Sequence, residues 1–576
     1  MKWKRTEAQT AARQFQLRGA WVLGALLLAG LVLVLRAVDL QVLKHGFLAE
    51  QGAERFMRNA RIPAHRGAIV DRFGEPLAVS TPVDTVWTNP AELAAAPEQL
   101  PRLAKALIRD REWLTRRVTS NLESPFLVLA KQLQPDEAAR VKGLGIPGVY
   151  LQREYRRYYP AGEVTGHLLG FTGADDQGQE GLELAFEQKL AGEDGAKRVI
   201  QDRLGRVVEN VDSVRAPRPG EELATSIDLR IQYLAYRELK SAIREFQARA
   251  GSVVVIDVRS GEVLAMVNQP SFNPNDRTQF DVDRYRNRAA TDIFEPGSSI
   301  KPFVVAAALG SGRFNPHSVI DTSPGFVKVG IKVIEDHHNL GAVDLATILA
   351  KSSNVGMAHI ALALDKATIW TTLNGLGFGQ VSAAAFPGEA AGLLTHYSHW
   401  RDIGVATLAY GYGLSVTPLQ LAQAYATLGA LGVRRPLSFR REQQPVAGLR
   451  VVDAQVCRDV IHLLESVITP EGTGKLAAVR GYRVAGKTGT AWKSIAGGYS
   501  TDKYMAVFAG LVPAGTPRLA AVVVIDEPGG GKYYGGDVAA PVFSAVMAGA
   551  LRLLAVPPDD LRDVTSATLV QAVAPR

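Results

Sequence analysis

The stretch EPGSSIKPFVVAAAL, residues 295–309, decides the fold of the second half of this chain. Its Pro-Gly pair predicts a turn, and the run of valine and alanine that follows predicts a buried helix. Ser298 and Lys301 stand one helical turn apart on the same face, so the hydroxyl and the amine can meet. Pro302 is tolerated only if the helix begins at about Ser298. A serine at a helix N-terminus beside a lysine deprived of water is the pattern of an activated nucleophile.

A Ser-x-x-Lys pattern is loose on its own, and the chain contains a second copy from Ser500 to Lys503. That copy runs into the strand-like stretch YMAVFAGLV, so no helix places its two groups together. We interpret it as a chance match. For Ser298 the competing interpretation is a helix cap beside a solvated lysine, since serine is a favoured cap. The rest of the chain has to decide between the two.

Length and composition indicate a globular protein of two or three domains. The chain has 576 residues, of which 47% are hydrophobic and 21% charged. The formal net charge of +8 does not predict a nucleic-acid partner, because the basic residues are spread among 57 acidic ones. An envelope protein facing anionic polymer or lipid fits this charge equally well. Cys457 is the single cysteine, which excludes disulfides within the chain and cysteine clusters for zinc. We expect no cofactor and no metal.

The N-terminus predicts an uncleaved membrane anchor. Residues 1–18 carry five basic side chains against one acidic one and are expected to form a cytoplasmic tail. Residues 19–41 follow as a mostly apolar run, long enough for a transmembrane helix. The positive-inside rule then places everything after it outside the cytoplasm. A cleaved signal peptide is the alternative, but the run is long for one and no small-x-small cleavage site follows.

Residues 42–220 are interpreted as a pedestal or partner-binding domain. HRGAIVDRFGEPLAVS, residues 65–80, predicts a strand, a turn at Gly74 and a second strand. No catalytic constellation stands out between residues 81 and 216. RAPRPGEEL, residues 215–223, has the two prolines and the glycine of a junction.

Residues 221–557 show a different pattern, and residues 558–576 are interpreted as a loosely held tail. GSVVVIDVRSGEVLAMVN, residues 251–268, predicts a hairpin, and helical segments dominate from Phe303 to about Val467. Three predicted strands follow, YRVAGKTGTA (residues 482–491), YMAVFAGLV (residues 504–512) and RLAAVVVIDE (residues 518–527), and a last helix runs from about residue 541 to 554. This order predicts an α+β domain with one antiparallel sheet layered with helices.

Two further motifs lie in this domain. Ser352-Ser353-Asn354 interrupts an apolar helical stretch. Serine and asparagine make a natural break between two helices, so a purely structural role is one explanation of this motif. Lys487-Thr488-Gly489-Thr490 lies on a predicted strand. A glycine inside a strand often marks a close approach of backbone or ligand.

The same region contains a false lead. Gly481 to Thr488 matches the phosphate-binding pattern G-x-x-x-x-G-K-[ST] letter for letter, so a nucleotide triphosphatase is a hypothesis from a second class. That pattern needs a buried strand before it and a helix after it. Here the preceding segment is not apolar, and the later glycines at 489, 497 and 498 disfavour a helix. The predicted location outside the cytoplasm also separates the site from ATP, and we reject this hypothesis.

The three motifs in this order, Ser298-x-x-Lys301, Ser352-x-Asn354 and Lys487-Thr488-Gly489, resemble those of penicillin-binding serine acyl-transferases. The resemblance extends to the class B, division-type (FtsI-type) peptidoglycan D,D-transpeptidases and covers nearly the whole chain. It is carried by RGAIVDRFGEPLA, EPGSSIKP, KSSNVG, YGYGLSVTPLQLAQAYATLG, GKTGTA and KYYGGDVAAPVF. Ser299 departs mildly from the family, in which threonine is commoner. As expected for class B, no glycosyltransferase-like domain precedes the pedestal.

The resemblance implies a role for each motif residue. Ser298 would be the nucleophile, Lys301 its base, and Ser352 a proton relay, with Asn354 orienting the lysine and the substrate amide. The remaining residues would contact the substrate. Lys487, Thr488 and Thr490, beside Gly489, would bind its terminal carboxylate. The walls of the pocket would be formed by Tyr412, Tyr533 and Tyr534.

The resemblance also implies substrates and partners. Peptidoglycan stem peptides ending in D-Ala-D-Ala would be the substrates, β-lactams covalent inhibitors, and an FtsW-like glycosyltransferase with other division proteins the partners. The protein would lie in the inner membrane at the division site, with its catalytic domain in the periplasm. An elongation-type transpeptidase, a D,D-carboxypeptidase and a β-lactam sensor remain alternatives of the same fold.

Overall fold

The computed structural model describes residues 3–44, 46, 57–201, 207–276, 278, 281–495 and 497–560. These residues form two compact units. The first unit contains residues up to 64 together with 82–154 and 193–218, and the second contains 65–81, 155–192 and the chain from 219 onward. Most of the predicted tail, from residue 561 onward, lies outside the described residues. The predicted domain boundaries stay predictions.

The N-terminal helix of the first unit fits a membrane anchor. It spans Trp3–Val38 and continues as a π-helical turn, Asp39–Leu43. Residues 17–43 have a mean hydropathy of 2.4 and are not buried inside the protein. Residues 535–553 are also apolar and helical, but 61% of that window is buried, as expected for a core helix.

The remainder of the first unit combines small sheets with short helices. Strand β1 (Met57–Ile62) pairs with a later strand, which pairs in turn with a third, all antiparallel. A second pairing joins residues 84–88 to residues 127–133. Leucines and valines of the helices pack beside this pairing in one core. The helices are Pro90–Ala94, Leu100–Ala106, Arg111–Thr119 and Pro135–Lys142.

The strands before the large sheet are, in chain order after β1, β2 (Ile69–Val70), β3 (Pro76–Thr88), β4 (Leu127–Leu133), β5 (Val149–Tyr158), β6 (Gly195–Gln201), β7 (Val207–Arg215) and β8 (Leu223–Ala224). In the second unit β2 pairs with the start of β3 in an antiparallel manner and with β8 in a parallel manner. The turn between β2 and β3 contains Gly74 at φ +92°. The predicted strand, turn and strand are therefore confirmed.

The second unit is built around a five-stranded antiparallel sheet. Its strands are β9 (Ala250–Asp257), β10 (Val263–Gln269), β17 (Ala485–Ile495), β18 (Gly498–Val512) and β19 (Leu519–Asp526), in the order β10-β9-β19-β18-β17. Short two-stranded ribbons lie in the insertion between the first two strands and the last three. They are β11 (Val319–Asp321) with β14 (Ala342–Asp344), β12 (Phe326–Val329) with β13 (Lys332–Glu335), and β15 (Val433–Arg434) with β16 (Leu449–Arg450).

Helices cover both faces of this sheet. Val253 and Val255 of β9 face a core formed with helices Leu229–Glu245 and Ala540–Leu553. Their neighbours on the same strand face a larger core formed with the remaining long helices. Since successive side chains of a strand point to opposite faces, a fully apolar strand is the pattern of a sheet buried on both sides. The predicted α+β fold with a helix-layered antiparallel sheet is confirmed.

The remaining long helices of the second unit form the larger of these two cores. They include Lys301–Gly310, Leu345–Lys351, Asn354–Leu362, Lys366–Gly375, Asp402–Leu408, Pro418–Gly429 and Ala454–Glu465. Cys457 lies on the last of these and is fully buried. Burial raises the pKa of its thiol to about 12. Shorter helices and turns are Gly166–Leu169, Gly181–Ala185, Glu187–Leu190, Val282–Tyr285, Arg288–Thr291, Tyr397–His399, Ser466–Ile468, Lys475–Ala477 and Gly535–Val538.

Candidate active site

The stretch around Ser298 forms a tight turn that leads into a buried helix. Residues Gly297–Ile300 make one turn of 3₁₀-helix, and the α-helix Lys301–Gly310 follows directly. Pro302 lies in the first turn of that helix, where its missing N–H is no loss. Gly297 adopts φ +52°, which glycine tolerates without strain. The predicted helix start near Ser298 is confirmed, with the serine on the tighter turn.

The Ser352-Ser353-Asn354 motif forms the predicted break between two helices. Helix Leu345–Lys351 ends where Ser352 takes the left-handed conformation at φ +59°. Helix Asn354–Leu362 begins two residues later, and Ser353 Oγ accepts the backbone N–H of Gly356 at 2.8 Å. Left-handed conformations are uncommon for residues other than glycine. This conformation turns the chain so that Ser352 and Asn354 reach the same neighbour, Lys301.

The third motif lies on the edge strand of the sheet, close to the Ser298 turn. A methyl group added to Gly489 would lie 2.7 Å from the carbonyl oxygen of Pro296 and 3.4 Å from Ser299 N. Only glycine permits this approach, as the sequence predicted from its place in a strand. Strand β17 therefore runs against the turn that carries the serine.

The three motifs meet at two lysine amines. Lys301 Nζ donates to the carbonyl oxygen of Ser352 at 2.5 Å, to Ser352 Oγ at 3.1 Å and to Asn354 Oδ1 at 2.9 Å. Lys487 Nζ reaches the same hydroxyl, Ser352 Oγ, at 3.0 Å. The hydroxyl of Ser352 thus lies between two amines. Ser298 is half-buried, and its Oγ makes no hydrogen bond to any residue that the structure describes.

Both lysines lie where burial disfavours the charged amine. Each is fully buried. Burial lowers the pKa of Lys301 well below its ordinary value, the charge of Lys487 lowers it further, and Asp336 raises it. Burial also lowers the pKa of Lys487 to about 7. An amine without its proton beside a half-buried serine can accept the proton of the attacking hydroxyl.

Asp336 supports the cluster and was not foreseen from the sequence. Its Oδ1 accepts the backbone N–H of Asn354 at 2.5 Å and of Val355 at 3.1 Å, and its Oδ2 accepts the hydroxyl of Ser353. A carboxylate at a helix N-terminus satisfies free N–H groups and fits the helix dipole. Asp336 therefore fixes the helix start from which Asn354 reaches Lys301. Its position, one residue after β13 and far along the chain from the motif, gave no sequence signal.

The threonines of the third motif are held by hydrogen bonds. Thr488 Oγ1 donates to Thr473 Oγ1 at 2.9 Å, and Thr490 Oγ1 accepts the backbone N–H of Gly535 at 3.0 Å. Thr473 is a second residue that sequence reasoning missed. A contact between two hydroxyls that are distant in sequence leaves no local pattern.

The three candidate wall tyrosines lie beyond the lysine cluster. Tyr412 OH accepts the backbone N–H of Trp492 at 3.3 Å. The ring of Tyr533 stacks on the ring of Tyr504 at 4.2 Å between centroids and lies tilted against the ring of Tyr534 at 4.4 Å. These tyrosines make no hydrogen bond to Lys301 or Lys487 among the described residues. Their role as pocket walls stays a prediction.

The two false leads do not form sites. Ser500 and Lys503 lie on strand β18, where the serine hydroxyl accepts the backbone N–H of the lysine rather than meeting its amine. The phosphate-binding pattern ends inside β17 with no helix after it, and Lys487 faces Ser352. Both sequence interpretations, the chance match and the rejected nucleotide site, agree with this geometry.

The half-buried serine on a tight turn, the buried lysine pair and the edge strand beside them fit a serine acyl-transferase, and comparison with known families gives the same class. The model of the "Penicillin binding protein transpeptidase domain" matches residues 251–548, and that of the "Penicillin-binding Protein dimerisation domain" matches residues 61–225. The chain belongs to the penicillin-binding protein transpeptidase family.

Known relatives resemble the chain over most of its length. It is 44% identical to the peptidoglycan D,D-transpeptidase FtsI of Escherichia coli K12 over 94% of this chain and 93% of that protein. It is 42% identical to the probable peptidoglycan D,D-transpeptidase PbpC of Pseudomonas aeruginosa, over 93% and 95%. A solved structure of penicillin-binding protein 3 from Mycobacterium tuberculosis with aztreonam matches with a TM-score of 0.68 and 27% identity, over 87% of this chain and 98% of that one.

Proposed function

We propose that this protein is a division-type peptidoglycan D,D-transpeptidase that cross-links stem peptides through an acyl-serine. The observation that carries the proposal is the amine of Lys301, buried and held by Ser352 and Asn354 one helical turn after Ser298. Similarity to FtsI-type relatives over nearly the whole chain supports the same activity.

In the first half-reaction Ser298 attacks the penultimate D-Ala carbonyl of a stem peptide. Lys301, neutral because of burial, takes the hydroxyl proton as the new ester bond forms. The backbone N–H groups of Ser298 and Thr490 would bind the oxygen that becomes negative, and losing one such donor typically costs about 3 kcal/mol.

The next step releases the terminal D-Ala with the help of Ser352. The bond between carbonyl carbon and terminal D-Ala nitrogen breaks, and that nitrogen receives a proton through Ser352 Oγ, which contacts both lysines. Lys487, Thr488 and Thr490 would bind the terminal carboxylate, a role for which a cationic amine and hydroxyls are suited.

In the second half-reaction an amine of a neighbouring stem peptide replaces the serine. The amine nitrogen attacks the ester carbonyl, a new amide bond forms, and the ester bond to Ser298 breaks. The proton lost by the amine returns to the serine oxygen by way of Lys301. The balance is one amide exchanged for another, with no oxidant or cofactor.

The N-terminal helix supports a location at the membrane. We place residues 1–18 in the cytoplasm and the catalytic domain in the periplasm, because basic residues precede the apolar run. An FtsW-like glycosyltransferase and other division proteins are the partners that this arrangement would serve at the septum.

Fluorescent penicillin tests the proposal directly. The full-length protein in detergent is incubated with the label beside Ser298→Ala, and both samples are followed by denaturing gel and mass spectrometry. We expect label on the parent alone, attached to the peptide that contains residue 298. A well-folded parent that takes no label would overturn the assignment, and label retained by the variant would move the nucleophile to another serine.

A further inference from the structure

The segment YGYGLSVTPLQLAQAYATLG, residues 410–429, lies against the chain that leads into the nucleophile turn. Phe294 and Val416 exchange two backbone hydrogen bonds, at 3.0 and 2.9 Å. The resemblance to penicillin-binding proteins rests partly on this segment, but the proposed mechanism gives it no role. The two hydrogen bonds fix the segment beside the turn that carries Ser298.

The second half of this segment is a buried helix. Helix Pro418–Gly429 begins after Thr417, whose side chain forms a capping box with that of Gln420. All 12 residues of the helix are buried. Because protein interiors are close-packed, a helix enclosed in this way cannot shift without disturbing the core around it. It therefore gives a neighbouring turn a fixed support.

Tyr425 connects this helix to the nucleophile turn. Its hydroxyl donates to the carbonyl oxygen of Ser299 at 2.9 Å. Its ring packs edge-on against the ring of Phe303, at 5.2 Å between centroids. Phe303 lies in helix Lys301–Gly310, so the tyrosine contacts both the turn and the helix that follows it. Tyr425 is fully buried, and burial raises the pKa of its hydroxyl well above the ordinary value, so the group remains a hydrogen-bond donor at neutral pH.

Ser299 is the residue through which this contact acts on the nucleophile. Ser299 is fully buried, and its own hydroxyl donates to the carbonyl oxygen of Pro296 at 2.7 Å. Ser298, one residue earlier, is half-buried. Since the peptide bond between these two serines is planar, a fixed position of Ser299 limits where the side chain of Ser298 can lie. Tyr425 and Pro296 thus hold the inner residue of the turn while the nucleophile stays at the outer one.

We propose that Tyr425 is a positioning residue for acylation, whose hydroxyl holds the Ser299 carbonyl and so fixes how Ser298 is placed relative to Lys301. The inference rests on the proposed function, because it concerns the rate of the same acyl-serine step. A fully buried side chain does not touch the substrate. Loss of the hydroxyl should therefore reduce the reactivity of the bound complex and leave its affinity unchanged.

A role in stability alone predicts a different result. It would lower the fraction of folded protein, and each folded molecule would still react at the parental rate. A positioning role lowers the rate constant of the folded molecules and leaves their number unchanged. The final amount of label per protein and the rate constant of labelling, read from one experiment, separate these two roles.

The test compares the full-length parent in detergent with Tyr425→Phe, Tyr425→p-aminophenylalanine and Tyr482→Phe. The first variant removes only the hydroxyl. The second, made by amber suppression, replaces the hydroxyl with another hydrogen-bond donor of similar size. The third is the matched control, because Tyr482 donates to the carbonyl oxygen of Val556 at 2.6 Å, near the C-terminal end of the described chain.

Each protein is mixed with fluorescent penicillin at several concentrations, and the reaction is stopped by rapid quenching. The concentration dependence gives the dissociation constant of the non-covalent complex and the rate constant of acylation. We expect Tyr425→Phe to lower the rate constant at least ~10-fold, because a displacement of about 1 Å can cost ~100-fold in rate. Its dissociation constant and its final label per protein should stay at the parental values.

The two other variants should retain fast labelling. Tyr425→p-aminophenylalanine should recover most of the parental rate constant, because the donor to Ser299 is restored. Tyr482→Phe should label as the parent does, since it loses a hydrogen bond of the same kind at another place.

Parental labelling by Tyr425→Phe overturns the inference, as does a loss of final label without a change in rate constant. Equal slowing in Tyr482→Phe also overturns it, because the effect would then follow from lost stability. If Tyr425→Phe does not fold, slow labelling by folded Tyr425→p-aminophenylalanine still overturns the inference. A parent that takes no label refutes the proposed function and this inference with it, whereas a labelling parent with an unaffected variant refutes this inference alone.

Discussion

Lys301 is the residue whose protonation should set the rate of acylation. Its pKa lies well below the ordinary value of 10.5 because burial and Lys487 both disfavour the charged form. Since the neutral amine is the active base, acylation should rise with pH and reach a plateau below pH 10.5. The second-order rate of penicillin labelling between pH 5 and 10 measures this. A rate that still climbs in proportion to hydroxide at pH 10 would contradict a buried base.

Removing the charge of Lys487 should shift the pH profile of the labelling rate. The Lys487→Met variant loses a cation that lowers the pKa of Lys301, so the rising limb should shift to higher pH. The maximal rate should also fall, because the amine contacts Ser352 Oγ at 3.0 Å. Labelling rates over the same pH range give both quantities. A limb that moves to lower pH would mean that the two amines do not interact as described.

Asp336 should influence the profile in the opposite direction. Asp336→Asn removes the carboxylate that raises the pKa of Lys301, so the rising limb should move to lower pH. It also removes a negative charge from the N-terminus of helix Asn354–Leu362, a loss of about 0.3–1 kcal/mol in stability.

Asp344→Asn is the matched control for this variant. Asp344 Oδ1 caps helix Leu345–Lys351 through Thr347 N at 2.9 Å. The control should lose similar stability in thermal unfolding and keep the parent pH profile. If both variants shift the profile alike, Asp336 acts only through helix stability.

The sequence identified the motif residues but not the residues that hold them in place. Lys301, Ser352, Asn354 and Lys487 are joined by hydrogen bonds, and Ser298 lies one helical turn before Lys301. Their residue types and spacing are themselves the signal. Asp336 could not be found in this way. Its contacts with the 353–355 backbone and hydroxyl depend on how the β12–β13 hairpin packs, which no local pattern encodes.

At the scale of the element, the contact between β17 and the serine turn should tolerate no side chain. Gly489→Ala would place a methyl group 2.7 Å from the carbonyl oxygen of Pro296, so the strand must move away. Because a displacement of about 1 Å can cost ~100-fold in rate, we expect labelling to slow by at least ~10-fold.

Gly404→Ala is the control at this scale. Gly404 lies in helix Asp402–Leu408, and an added methyl group would meet nothing within 4 Å. Alanine in a helix interior should raise stability by about 0.5–1 kcal/mol with labelling unchanged. Normal labelling of Gly489→Ala would show that the turn and the strand adjust independently.

Strand boundaries show where sequence reasoning ends. The prediction for β17 stopped at Ala491, whereas the strand continues to Ile495, and β18 begins at Gly498 instead of Tyr504. The extra residues are largely exposed, and they are ordered by pairing with each other, as Ser494 is with Tyr499. Hydrophobic alternation reports burial, so a paired but exposed ribbon gives no such signal.

At the scale of the whole molecule, buried charges tie separate parts of the second unit together. Glu183 is fully buried and contacts Arg66 Nε at 2.8 Å and Arg157 Nε at 2.6 Å. Glu183→Gln would leave two buried guanidiniums short of one negative charge, and breaking such a network typically costs about 3–5 kcal/mol. Urea unfolding measures the loss.

Glu112→Gln is the control for that measurement, since Glu112 is exposed. It should change stability by no more than about 0.5 kcal/mol. If Glu183→Gln is as stable as the control, the attraction between the charges of this network does little more than offset the cost of removing them from water.

This network also explains what composition could not reveal about organisation. In the sequence Arg66, Arg157 and Glu183 look like ordinary surface charges of a pedestal. In the structure they are buried in the same compact unit as the transpeptidase motifs. Sequence patterns assume that charges are solvated, so a unit assembled around buried ion pairs from distant segments cannot be recognised before folding is known.

The buried thiol of Cys457 has a practical consequence. With its pKa raised to about 12, it stays protonated and shielded at neutral pH, and it is the chain's single cysteine. A maleimide dye would therefore react with a cysteine introduced at the surface and leave the native one untouched. The wild-type chain therefore adds no labelling of its own in single-molecule fluorescence. Paired dyes could follow its motions without prior removal of native thiols.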